Sequence, residues 1–230
     1  MPFTRPVAAV VFDMDGLLLD TERIYLDGLF KAALAVDCVM TEVFAHSMIG
    51  VPGKECNAMI EAHYGPGFSM AAFGAAYDEI VEAALEREVP LRPGARELVA
   101  YLAEQGIPRA IATSSRRPTV DRYLARVGLL DHFTAIVSRE DVANPKPAPD
   151  PFLAAAARLG VQPADCLALE DSYHGITAAH TAGMMAIMVP DLLAATEAIQ
   201  AKCIVVADDL HHVRTLLQQA RVSSAASASS

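Results

Sequence analysis

Apolar residues along this chain fall into two kinds of segment: short continuous runs, and longer stretches in which they recur every three or four positions. The first run, Ala8-Ala9-Val10-Val11-Phe12, leads straight into Asp13-Met14-Asp15-Gly16. A run of this length bounded by a turn signal predicts a strand buried on both faces. Further runs predict strands at Ala110–Ala112, Thr134–Val137, Cys166–Leu169, Met185–Val189 and Cys203–Val206. Helical spacing lies between them: Ala95–Gln105 stopped by Gly106, a helix opening near Pro118 and running to Gly128, Pro151–Leu159 stopped by Gly160, one of small residues up to Ala182 capped by Gly183, and Leu210–Ala220. Repeated strand–helix units of this kind predict a parallel sheet with helices on both faces.

One stretch breaks the alternation. From about Thr21 to Arg87 the pattern is helical throughout, with Ile24, Leu26, Leu29 and Leu34 on one face, Met59-Ile60 on another, and an alanine-rich segment over Met70–Leu85. Asp20 or Thr21 is the expected N-cap. Gly50-Val51-Pro52-Gly53-Lys54 and Gly65-Pro66-Gly67 separate the helices. Strands only before and after such a stretch indicate a helical insert in an α/β core, with Val89-Pro90-Leu91-Arg92-Pro93-Gly94 as the return connector and a natural hinge. The expected organisation is a core of residues 1–16 and 92–222, an insert of residues 17–91, and a Ser/Ala tail of residues 223–230, disordered and without a function.

At 230 residues and 53% apolar, the chain is long enough to bury a sizeable core. A formal charge of −10 argues against a nucleic-acid or anionic-membrane partner, since both need clustered Lys and Arg. It leaves room for an anionic small molecule, because a few local cations can dominate a cleft. Cys38, Cys56, Cys166 and Cys203 lie far apart without a Cys-x-x-Cys pair, and read as reduced thiols. The first residues have neither the apolar stretch nor the cleavage site of a signal peptide. No run reaches the roughly 18 apolar residues of a membrane span. A cytoplasmic location is the expectation.

The polar residues that follow the strands carry the chemistry. Side chains alternate along a strand, so Asp13 and Asp15 are expected to point one way. At about 4 Å and an effective dielectric near 20 they would repel by roughly 4 kcal/mol. A divalent cation, a shared proton, or both would offset that; a plain surface turn is the alternative. In a parallel sheet Asp13/Asp15, Thr113/Ser114, Lys146 and Glu170/Asp171 all arrive at the carboxyl edge, where open α/β sheets bind ligands. Hydroxyls and backbone N–H groups at a helix start cradle anions. The Pro-rich loop Asn144-Pro145-Lys146-Pro147 supplies a fixed cation, and the carboxylates describe a magnesium site. Together they describe a site for a phosphoryl group.

Asp-Met-Asp-Gly, Thr-Ser-Ser, Lys-Pro-x-Pro-Asp and Glu-Asp-Ser-x-x-Gly-Ile-x-Ala-Ala-x-x-Ala-Gly-Met, in this order over about residues 7–217, resemble the haloacid dehalogenase superfamily, and the helical insert stands where one class of that superfamily carries a small cap domain. The resemblance implies a Rossmann-like core, Mg²⁺, and covalent catalysis through an aspartyl phosphate. It makes Asp13 the nucleophile, Asp15 the general acid/base whose backbone carbonyl meets the metal, and Asp171 with Glu170 the rest of the metal shell. Gly16, Thr113, Ser114, Arg116 and Lys146 would hold the phosphate, with Lys146 also offsetting charge. The alternatives read Thr113 as a helix cap, Lys146 as a solvated charge, and Arg116 and Arg117 as helix-surface charges. His174 is placed on a helix surface, Gly175 in close helix packing, and Tyr25 and Lys54 are candidate specificity contacts.

Asp15 points to phosphoryl transfer rather than dehalogenation. The implied activity is hydrolysis of a small phosphorylated metabolite, with sugar phosphates leading, by a monomer. A β-phosphoglucomutase-like mutase is the alternative. That branch carries a cap His where this chain has Tyr25 and a cap Arg where it has Gly53-Lys54. A non-catalytic binding protein on the same core is the second alternative.

Overall fold

The structure, a computed structural model, describes residues 2–51 and 53–228. The chain forms two compact units: Met1–Asp20 with Pro90–Ser230, and Thr21–Val89.

The first unit is built on six parallel strands: β1 (Ala9–Phe12), β2 (Arg109–Ala112), β3 (Ala135–Val137), β4 (Cys166–Glu170), β5 (Met185–Met188) and β6 (Val205–Val206). Their order is β3-β2-β1-β4-β5-β6. The chain therefore winds outward from β1 to β3, then crosses back to place β4 on the other side of β1. That reversal is the switch point at which such sheets bind ligands. Phe12 lies abreast of Ile111 on one side and Leu169 on the other. All four residues of β1 are buried, as a strand covered on both faces requires.

Helices cover the sheet because their apolar positions recur at helical spacing. In α5 (Ala95–Glu104) these are Ala95, Leu98, Val99 and Leu102. In α7 (Asp150–Leu159) they are Pro151, Phe152, Ala155 and Ala156. In α8 (Tyr173–Thr181) they are Gly175, Ile176, Ala178 and Ala179. Small residues predominate on α7 and α8, which lets both helices lie close to the strands in one buried cluster. The helix α6 (Arg117–Arg126) follows β2, with Pro118 in its first turn. Two elements differ from expectation. A short helix, α9 (Glu197–Gln200), precedes β6, and β6 itself is only two residues long. The last helix, α10 (Leu210–Ala228), continues past Ala220, so residues 223–228 are helical where a disordered tail was expected. Residues 229–230 of that tail lie outside the described residues.

The loop between β3 and α7 is pinned from below. Asp141 accepts hydrogen bonds from Ser138 N at 2.7 Å, Ser138 Oγ at 2.6 Å and Arg158 Nη2 at 2.6 Å. The bond from Arg158, followed by those from Ser138, holds the Asp141 carboxyl well below its usual range. The side chain is partly exposed, so screening keeps the gain to about 1 kcal/mol. A carboxyl with a depressed folded pKa stabilises above its unfolded pKa of about 4 and loses that contribution as pH falls towards the folded value. Asp141→Asn is therefore expected to cost about 1 kcal/mol near neutral pH, and the gap to the parent is expected to shrink below about pH 4. Denaturant unfolding at both pH values checks this; a gap that stays constant would contradict it.

The second unit contains α1 (Glu22–Ala35), α2 (Glu42–His46), α3 (Gly53–Tyr64) and α4 (Met70–Arg87). Ala32, Ala33, Ile60 and Phe73 are among its buried residues. Gly28 of α1 faces Val81 and Tyr77 of α4 so closely that a Cβ would lie 2.7 Å from Val81 Cγ2. Tyr64 stacks on Phe68 at 4.5 Å and donates its hydroxyl to Val39 O at 2.9 Å. Thr21 precedes α1 without a side-chain cap bond, and Pro52 lies outside the described residues.

The boundaries between units fall inside the insert expected over residues 17–91. The outgoing and returning segments pair with each other: Leu19 bridges Leu91 in antiparallel fashion, Asp20 N donates to Pro90 O, and Arg92 N donates to Leu18 O. Arg92 then fixes this pair to the loop after β5, with Nη1 at 2.7 Å from Asp191 Oδ1 and Nη2 at 3.1 Å from Pro190 O. This short ladder places residues 17–20 and 90–91 in the first unit. Among the described residues no helix is long and apolar enough to cross a membrane.

Candidate active site

The two central strands deliver the first acidic pair. β1 ends at Phe12, and Asp13 N donates to Leu169 O of β4 at 3.0 Å. Asp13 is thereby set beside Glu170, the last residue of β4. Gly16 follows with φ of +81°, a left-handed conformation that glycine adopts without a Cβ penalty, and its N–H donates to Leu19 O at 2.8 Å. The chain turns there, one residue after Asp15.

Asp13, Lys146 and Glu170 are all buried. Lys146 Nζ lies 2.5 Å from Asp13 Oδ1 and 2.5 Å from Glu170 Oε1. The Phe152 ring stands 5.2 Å from the ammonium and closes its apolar side. Asp171 joins this group: one carboxylate oxygen from each of Asp13, Glu170 and Asp171 falls within 4.8 Å of the others.

Burial pushes the Asp13 carboxyl well above its usual range; Lys146 opposes that shift, while Glu170 and, last, Asp15 add to it. Burial acts against the charge on Lys146, but Asp13 and Glu170 outweigh it and raise its pKa. Both directions follow from counting charges. One ammonium faces two buried carboxylates, so the ammonium stays protonated and the surplus negative charge is resisted at Asp13. Adding Asp171 makes three carboxylates and one ammonium, a deficit that one divalent cation would balance. Oxygen-only donors suit a hard cation.

The remaining sequence-selected residues divide into those at the site edge and those elsewhere. Thr113 is buried at the end of β2, where Oγ1 accepts Ser115 N at 3.1 Å; its hydroxyl closes this turn rather than capping α6, whose N-cap is Arg116. Ser114 is exposed at the same turn. Asp15 Oδ2 accepts the Ser115 hydroxyl at 2.7 Å. The pair read as pointing one way is therefore held by different partners, Asp13 by Lys146 and Asp15 by Ser115, and the like charge acting more strongly on Asp13 is Glu170. Arg116 is outside the cluster, 82% exposed and 3.9 Å from Glu140 Oε1. Arg117 pairs with Asp121 at 2.8 Å. His174 lies half-buried in the first turn of α8. Tyr25 and Lys54 belong to α1 and α3 of the second unit.

Sequence reasoning gave no role to Ser115 or Phe152. The Thr-Ser-Ser run was the available signal for Ser115, since a hydroxyl two residues after a strand end can reach a neighbouring loop. Nothing local marked Phe152, which reads as an ordinary core position of α7.

Residues 10–189 match the haloacid dehalogenase-like hydrolase family. A probable pseudouridine-5'-phosphatase of Drosophila melanogaster is 37% identical over 193 residues, covering 81% of this chain and 83% of that protein. Hexitol phosphatase B of Escherichia coli K12 is 34% identical over 201 residues, covering 83% and 86%. The crystal structure of a putative β-phosphoglucomutase from Thermotoga maritima superposes with a TM-score of 0.79 at 27% identity, covering 91% of this chain and 98% of that one. With its parallel core, its acidic cluster at the switch point and these relatives, the chain belongs to the haloacid dehalogenase-like hydrolases.

Proposed function

We propose that the protein is a phosphatase that hydrolyses a small phosphate monoester, with sugar phosphates the leading class, through a phosphoryl group carried on Asp13 and with Mg²⁺ as cofactor. The observation that carries this reading is the shared ammonium: Lys146 sits 2.5 Å from both Asp13 and Glu170 inside an acidic, buried cluster. Such an arrangement is costly unless a divalent cation completes it, and that cation with Lys146 would in turn attract phosphate oxygens. The phosphatase names of the two curated relatives support monoester hydrolysis.

In this reading an Asp13 carboxylate oxygen attacks phosphorus as the P–O ester bond breaks, and Asp15 gives its proton to the departing alkoxide. Asp15 then takes a proton from water, which attacks the same phosphorus, releasing inorganic phosphate and restoring Asp13. The Ser115 hydroxyl holds Asp15 in place through Oδ2. Lys146 lowers the repulsion between the nucleophile and the phosphate oxygens. Thr113 and Ser114, with Gly16 next to Asp15, would receive the non-transferred oxygens, whereas Arg116 lies too far out on the surface to join them. Asp13 and Asp171 would hold the Mg²⁺ with the Asp15 carbonyl, Glu170 standing in the same cluster with its oxygens engaged by Lys146 and α8. Bound there, Mg²⁺ supplies charge neutralisation at the phosphoryl oxygens. All these residues come from one unit, which suits a monomer, and the four free thiols suit a cytoplasmic setting.

The likeness to a putative β-phosphoglucomutase supports a rival reading, transfer to a second sugar hydroxyl. A screen of phosphorylated metabolites decides between them. Hydrolysis predicts inorganic phosphate release that requires Mg²⁺ and stops on chelation. Isomerised sugar phosphate without net phosphate release would replace the phosphatase by a mutase, and silence towards every ester would favour a binding protein.

A further inference from the structure

Glu170 has almost no freedom. It is fully buried, and both carboxylate oxygens are committed. Oε1 accepts Lys146 Nζ, while Oε2 accepts Asp171 N and Ser172 N, each at 3.1 Å, and Ser172 Oγ at 3.0 Å. Ser172 Oγ accepts Gly175 N at 3.0 Å, closing the N-terminus of α8. The carboxylate therefore rests against the first turn of α8, and the residue it rests on is Gly175.

A Cβ at Gly175 would lie 1.8 Å from Glu170 Cδ, 1.8 Å from Oε1 and 2.2 Å from Oε2. No other residue fits there while Glu170 stays in place. The backbone does not itself demand glycine, since Gly175 is absent from the positive-φ positions and lies within a regular helix. Glycine in a helix is less stable than alanine, so the space it leaves is what the position supplies.

We propose that Gly175 is a positioning residue for the reaction: its missing side chain forms a slot, cut to the length of a glutamate, that seats the Glu170 carboxylate and thereby holds Lys146 against Asp13. This rests on the reading of Asp13 and Lys146 as the phosphoryl-transfer pair. Gly175 acts through Glu170 and Lys146 and so governs the chemical step more than substrate capture. A displacement of about 1 Å in such a group can cost on the order of 10²-fold in rate.

The test is a double-mutant cycle with Gly175→Ala and Glu170→Asp, using Gly74→Ala as control because a Cβ there meets nothing within 4 Å. Gly175→Ala is expected to lower kcat by about 10²-fold with a KM change below about threefold, whereas Gly74→Ala leaves both unchanged. Aspartate, one methylene shorter, withdraws from the slot, so Gly175→Ala on the Glu170→Asp background is expected to cost less than about threefold, far from multiplicative. That second comparison also decides the matter if the single alanine variant fails to fold. Crystal structures of the parent and the foldable alanine variant read the same slot without any assay: in Gly175→Ala the Glu170 carboxylate and Lys146 Nζ should leave their places beside Asp13. An unmoved Lys146, unchanged kcat, or multiplicative losses in the double variant would overturn the proposal. Absence of phosphatase activity in the parent would instead remove the functional reading, while leaving the crystallographic comparison to judge the slot.

Discussion

Asp13→Asn is expected to abolish turnover, by at least about 10⁴-fold, and at the same time to make the metal-free protein more stable. The first effect follows from chemistry: an amide cannot form the acyl phosphate. The second follows from charge. In the parent, one ammonium is shared between two buried carboxylates, and burial with Glu170 pushes Asp13 towards its neutral form. Asparagine keeps the shape and an acceptor for Lys146 but leaves a balanced pair, Lys146 with Glu170. Removing the charge that burial and Glu170 resist is therefore expected to raise the unfolding free energy in chelator. Saturating Mg²⁺ should narrow or reverse that gap, because it binds the parent site preferentially. Equal or lower stability of the variant in chelator would show that the site is not strained by excess negative charge.

Lys146→Met, on the opposite side of the same pair, is expected to be damaging in both respects. Methionine fills the stem's volume against Phe152 but leaves Asp13 and Glu170 facing each other without a cation. Breaking a buried pair by removing one partner costs about 3–5 kcal/mol, and here two acceptors lose the same donor. Protonation of Asp13 recovers part of this, so the stability loss should ease as pH is lowered and when Mg²⁺ is added. Turnover should fall by about 10³-fold, chiefly in kcat. Thermal unfolding and steady-state kinetics of the two variants side by side give opposite signs for stability and the same sign for activity. A Lys146→Met protein as stable as the parent would mean that the ammonium is replaceable by solvent.

Much of the architecture was legible because it rests on local patterns. Five apolar residues before Asp13 read directly as a doubly covered strand, and the small-residue helices after Pro151 and Ser172 read as sheet-covering elements. Errors came where the pattern was short or tertiary pairing decided. Val205–Val206 is too brief for its run to reveal its length, and Glu197–Gln200 is a single turn. The Leu19–Leu91 bridge, formed between residues far apart in sequence, moved the unit boundaries. At the site, alternation points Asp13 and Asp15 to one side, but it does not reveal their partners, Lys146 for Asp13 and Ser115 for Asp15. The partner that crowds Asp13 is Glu170, brought alongside by pairing of β1 with β4. No local feature carries that register. The glycine at position 175 was read as a packing residue; what it packs against is a carboxylate whose place was set by the strand before it.

The central claim is that phosphorus passes through a covalent bond to Asp13. Rapid acid quench of the Mg²⁺-loaded enzyme during turnover of a ³²P-labelled monoester, followed by peptide mapping, tests it most directly. The account predicts acid-stable, hydroxylamine-labile label on the peptide containing Asp13, appearing before free phosphate and absent in Asp13→Asn. Phosphate released at full rate with no label on that peptide at any time would contradict it.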